Sequence, residues 1–141
     1  MVRLNKKEKK EIMEAIRQTE KHSSGQIRVH LKDRGAGDIF EEAKKTFVRL
    51  GMHRTAERNA VLIFVALNNR RFAILGDSGI HEKVGQDFWH HARDAMAHFL
   101  TKGELKNALL TGIGSIAVEL KTHFPPKNGS VNELPNQVTE N

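Results

Sequence analysis

A chain of 141 residues, 38% hydrophobic and 28% charged, can bury one core but not two, which excludes two independent domains and a wholly disordered chain. The absence of cysteine excludes disulfides, thiolate metal sites and cysteine nucleophiles, so any metal must be held by oxygen or imidazole. A net charge of +6 invites a polyanionic partner, but Lys6, Lys7, Lys9, Lys10, Arg17 and Lys21 are interleaved with Glu8, Glu11, Glu14 and Glu20. That pattern reads as a solvated helix face, and no nucleic-acid partner is expected.

Asn5 is placed to cap a helix over residues 6 to 21, with Ile12, Ala15, Ile16 and Thr19 at helical spacing. His22-Ser23-Ser24-Gly25 breaks it, and residues 26 to 32 then alternate polar with apolar, the mark of a half-buried strand. After a loop with Asp33, Gly35 and Gly37, Asp38 caps a second helix carrying Phe40, Ala43, Phe47 and Leu50, which Gly51 ends. The apolar run Val61 through Val65 predicts a central strand buried on both faces. Asn68-Asn69 predicts a two-residue hairpin turn, after which Phe72 to Leu75 returns antiparallel. A short helical turn is expected at residues 81 to 84, then a helix opened by Asp87 and a last helix over residues 104 to 122. In that last helix Gly112 and Gly114 are expected to permit close packing.

This order predicts an α/β fold: a three-layer αβα sandwich on a small mixed sheet, parallel plus an antiparallel hairpin, of three or four strands. The fourth strand is placed, as an option, near residues 52 to 55. Residues 1 to 124 form the single domain, and the polar, proline-containing stretch 125 to 141 is expected to be a disordered tail. No apolar leader is read at the start, and the apolar run at residues 60 to 67 is about half the length of a membrane span. The expectation is a cytoplasmic protein, monomeric, with an unknown protein partner.

Topology sorts the loops between the two edges at which strands begin and end. At one edge should meet residues 22 to 25, residues 57 to 59 and residues 76 to 87. There Asp77, Glu82 and Asp87 converge with Glu57 and Asn59, an all-oxygen set suited to a hard cation, calcium or magnesium. Gly76, Gly79 and Gly85 would let backbone carbonyls approach as further ligands. The competing reading is ordinary: Asp87 caps a helix and Asp77 stabilises a turn.

Other motifs carry less. Asp87, His91, Asp94 and His98 share a helical face, but that face turns away from the apolar stripe and reads as solvated. Ser23, Ser24 and Ser78 lie in no nucleophile elbow, so no catalytic residue is assigned. Gly35-Ala36-Gly37 lacks the remaining glycine of a phosphate turn and is flanked by Asp33 and Asp38.

The stretch Arg58-Asn59-Ala60-Val61-Leu62-Ile63-Phe64-Val65-Ala66-Leu67, the asparagine turn, Arg71 through Ile80 and Asp87 resembles the TPM domain family. Ser24 to Val29 and Leu50-Gly51-Met52 fall where that family has its first strand and a helix end, so the resemblance covers residues 8 to 124. It implies an αβα sandwich, divalent-cation binding in some members, and acid phosphatase activity or membrane-complex assembly in others. Three functions are thereby expected of a stand-alone TPM-like domain. The first is a metal-responsive or protein-interaction module ordered by calcium or magnesium at residues 51 to 60 and 76 to 87. The second is a metal-dependent phosphatase on the same carboxylates. The third, read from the basic residues of the first helix rather than from the resemblance, is a basic adaptor for an acidic protein or membrane surface.

Overall fold

Asn5 caps α1 (Lys6–Lys21) through a reciprocal box: its side chain accepts from the Glu8 backbone, and Glu8 accepts from the Asn5 backbone. The computed structural model describes residues 3–126 and 138–140. The elements that follow are β1 (Gln26–Lys32), α2 (Ile39–Arg49), a 3-10 turn (Met52–Arg54), β2 (Ala60–Ala66), β3 (Arg71–Gly76), α3 (Ser78–Leu100), α4 (Leu105–His123) and β4 (Val138–Glu140). As expected, Asp38 caps α2, accepting from Phe40 N and Glu41 N.

The sheet has four strands in the order β3-β2-β1-β4, with β1 parallel to both β2 and β4 and β3 antiparallel to β2. β2 is buried at every position, so its alternate residues feed two cores. Val61, Ile63 and Val65 join Ile12, Ile16, Trp89, Met96, Leu109 and Ile113 under α1, α3 and α4. Leu62 and Phe64 join Ala43, Phe47 and Met52 under α2. The three-layer mixed sandwich is thus the observed architecture. Among the described residues no helix is long and apolar enough to cross a membrane.

Several expectations change. Residues 52 to 54 form the 3-10 turn, not a strand; the fourth strand is β4, inside the stretch expected to be disordered. β1 offers an open side there, and Thr139 Oγ1 bonds both His30 Nδ1 at 2.7 Å and Val29 O at 3.3 Å, while Lys9 pairs with Glu140. The rest of that stretch, residues 127–137, lies outside the described residues. The hairpin loop takes four residues, 67 to 70, with Arg70 rather than an asparagine at positive φ (51°). The reason lies in β1: Leu67 N and Asn68 N still bond Lys32 O and Asp33 O, which carries the chain onward before it turns.

The stretch α3 is two helices that meet at Gly85, whose backbone is not helical (φ 76°, ψ 172°): Asp77 caps the first, which starts at Ser78 rather than near residue 81, and the second follows Gly85, with no capping bond from Asp87 among the described residues. Gly112 does serve close packing, since a Cβ there would stand 2.5 Å from Met96 Sδ, whereas Gly114 faces open space and nothing in the structure explains it. On α1 the interleaved charges pair as expected for Arg17 with Glu14, but Glu20 turns inward, its Oε2 accepting from Ile27 N.

Candidate functional site

The strands begin and end so that three segments meet at one edge, as topology requires. Gln26 N bonds Asn59 O, Asp77 N bonds Ala60 O, and Gly79 N and Ile80 N both bond Arg58 O. The contact is tight because position 79 is glycine: a Cβ there would stand 2.1 Å from the Glu57 carbonyl oxygen and 2.6 Å from that of Arg58. These are backbone atoms, which cannot swing aside. Gly79 therefore lets the loop after β3 cross the loop before β2. Gly76 serves a different purpose, making room for the Trp89 ring, and Gly85 supplies the kink.

Two polar groups occupy this edge. In the first, Ser24 Oγ donates to Glu57 Oε2 at 2.5 Å, and Asn59 Nδ2 reaches Ser24 Oγ and Glu57 Oε2, each at 3.3 Å. Asn59 is fully buried, and its Oδ1 has no hydrogen-bond partner among the described residues. Exchanging the amide oxygen and nitrogen would set that oxygen against the Glu57 carboxylate, so the donor network fixes the amide as it stands. A buried acceptor left without a partner costs about 1–3 kcal/mol.

In the second group Arg58, at positive φ (51°), holds Asp77 through two bonds: Nε to Oδ2 at 2.7 Å and a terminal nitrogen to Oδ1 at 2.9 Å. Asp77 Oδ1 also accepts from Ser78 N at 2.7 Å, the helix cap. The Asp77 hydrogen bonds and charge push the Arg58 guanidinium above its usual range.

Of the five residues chosen from the sequence, the structure brings Glu57 and Asn59 into contact and sets Asp77 at the same edge against Arg58. Glu82 and Asp87 are exposed on α3, on either side of the kink, and make no hydrogen bond or ion pair among the described residues. No three of the described histidines, aspartates and glutamates stand close enough together to hold one ion. Strand direction places residues 22 to 25 at this edge, but nothing in the sequence singles out Ser24 as the partner of Glu57. Arg58 was missed too, because nothing in its local pattern foretells a left-handed backbone. The histidines pack or bond: His30 stacks on Phe64, and His81 Nδ1 accepts from Trp89 Nε1 at 3.0 Å. His91, Asp94 and His98 stay exposed.

A family model described as the TPM domain matches residues 3–119. The chain belongs to the TPM domain family. This TPM domain is also similar to the BA42 protein of the psychrophilic bacterium Bizionia argentinensis. The two share 39% identity over 98% of this chain and 95% of that one, with a TM-score of 0.91. The N-terminal domain of the cg2496 protein from Corynebacterium glutamicum superposes with a TM-score of 0.67 at 14% identity, over 99% of this chain and 82% of that one. The N-terminal domain of a protein from P. gingivalis does so with a TM-score of 0.69 at 17% identity, over 88% and 82%. At those identities the last two show the shared fold alone. No curated protein matches the chain.

Proposed function

We propose that this TPM domain is a divalent-cation-responsive module that takes calcium or magnesium beside Glu57 and Asn59. The bound ion would then tune the stability or partner binding of the crossing loops, residues 51 to 60 and 76 to 87. The observation that carries the reading is the Asn59 amide oxygen, fully buried and without a donor among the described residues. Beside it lie the Glu57 carboxylate, which accepts from Ser24 and Asn59, and the Glu57 carbonyl pressed against Gly79. Oxygen donors of this kind fit a hard cation and not a soft one. Of the wider set, Asp77 stays with Arg58, and Glu82 and Asp87 are left out of the inner ligands.

One carboxylate in the inner set favours weak binding, with a dissociation constant on the order of 10⁻⁴ to 10⁻³ M. At about ten times that concentration, linkage adds about 1.4 kcal/mol to stability. Thermal unfolding in calcium, against sodium chloride of equal ionic strength, tests this: the midpoint should rise in the wild-type chain and stay put in Glu57→Gln. An identical midpoint in both salts would overturn the reading. Binding is placed ahead of phosphomonoester hydrolysis because Arg58, the guanidinium at this edge, is held by Asp77 through two bonds rather than turned to a phosphate.

A further inference from the structure

Among the described residues β3 is the last strand on its side of the sheet, and its hydrogen-bonding phase can be read from one contact. Asp77 N bonds Ala60 O at 2.9 Å, and the register places those two residues opposite each other. Opposed pairs in an antiparallel ladder exchange bonds alternately, so Leu75, Ala73 and Arg71 turn their N–H and C=O groups toward β2. Those of Phe72, Ile74 and Gly76 point outward, along the open side of the sheet.

That open side forms the floor of a cavity of about 370 Å³, walled by Ile39 and Phe40 of α2 and by His81, Gln86, Trp89 and Arg93 of α3. Phe40 is 42% exposed, one of few large apolar side chains left so, and Trp89 forms part of the facing wall. Arg93 is exposed and makes no ion pair or hydrogen bond among the described residues. Because His81 Nδ1 accepts from Trp89, its Nε2 carries the ring proton and remains a donor. Among the described residues no carboxylate lines the cavity. Outward-facing backbone, apolar walls and cationic lining together describe a receptor for one more strand.

We infer that the open side of β3 binds an extended, acidic segment of a partner protein by strand addition. The segment bonds the backbone of Phe72, Ile74 and Gly76. Its side chains alternate, one set packing on Ile39 and Phe40, the other passing Trp89 to set a carboxylate against Arg93. A second copy of this chain fits less well, since it would bring its own α2 and α3 to the same side, where strands must close to about 4.8 Å. The surface borders residues 76 to 87 but includes neither Glu57 nor Asn59, so its failure would leave the cation reading intact.

The test uses the chain's single tryptophan, Trp89, whose fluorescence reports on the groove. The probe is an end-blocked hexapeptide alternating valine with aspartate. It should produce a saturable change, weakened about tenfold in Arg93→Glu, the equivalent of one charge-assisted bond. Methylating alternate backbone nitrogens of the peptide should abolish binding while keeping its side chains. Equal binding of a valine–lysine peptide, indifference to Arg93→Glu or to methylation, or no change at millimolar peptide would overturn the inference. So would a doubling of mass with protein concentration that Phe40→Asp reverses, since the edge would then pair with a second copy.

Discussion

Asp77 and Glu57 stand on two loops that touch through Gly79 at one edge of the sheet, yet their surroundings differ in kind. Asp77 faces a guanidinium through two bonds and caps a helix, so its charge is answered within the fold. Glu57 accepts from a hydroxyl and an amide, and the amide's own oxygen is buried without a partner among the described residues. Two carboxylates chosen by the same argument therefore stand in different settings: one fastens the loop to α3, and the other lies beside a buried amide oxygen that could meet an added cation. Proximity at a strand edge identifies candidates, and bonding partners separate fasteners from ligands.

The largest break in that comparison comes from Gly79→Ala, because the new Cβ would meet the Glu57 and Arg58 carbonyls. Forcing the loops apart should cost about 3 kcal/mol in urea unfolding and blunt any calcium response as well. Asp77→Ala should come next, at about 2 kcal/mol, since it removes the N-cap of α3 and the partner of Arg58. Asp77→Asn keeps a capping oxygen and should cost about half as much, because Arg58 is half exposed and its pairing is screened.

A third carboxylate sharpens the contrast. Burial pushes Glu20 up to about 7, against the Ile27 backbone bond that favours its charge, and Oε1 is left without a partner among the described residues. The folded chain therefore holds a proton that the unfolded chain releases near the ordinary value of 4.5. Its contribution is complete below that value, falls as pH rises, and is lost on passing about 7. Glu20→Gln should flatten this decline and leave the variant about 1 kcal/mol more stable at pH 8, measured by chemical unfolding across pH. The smallest effect on stability belongs to Glu57→Gln, within about 0.5 kcal/mol without metal, although it should erase the response to calcium.

Much of the fold was legible because local pattern and tertiary demand agree. The strand over residues 26 to 32, the apolar run of β2, and the caps at Asn5 and Asp38 each appear where pattern places them, but β1 is buried at every position except Lys32 rather than on one face, since Gln26, Arg28 and His30 are buried too. The convergence of residues 24, 57 to 59 and 77 to 79 followed from strand directions alone. The break at Gly85 between two helical segments followed from pattern, but the first segment starts at Ser78 rather than near residue 81, because Asp77 caps it beside the loop crossing at Gly79. β4 was hidden for a related reason. Its three residues have no strong pattern of their own and are held by the open side of β1. The division of partners between Glu57 and Asp77 depends on the left-handed backbone at Arg58, a feature of the folded turn and not of composition.

The most direct measurement is a calcium titration of the metal-stripped protein followed residue by residue through its amide signals, with Glu57→Gln and Asp77→Asn alongside. The account predicts saturating shifts concentrated at Ser24, Glu57, Asn59 and Gly79, absent in Glu57→Gln and retained in Asp77→Asn. No movement at millimolar calcium, or shifts that survive Glu57→Gln, would contradict it.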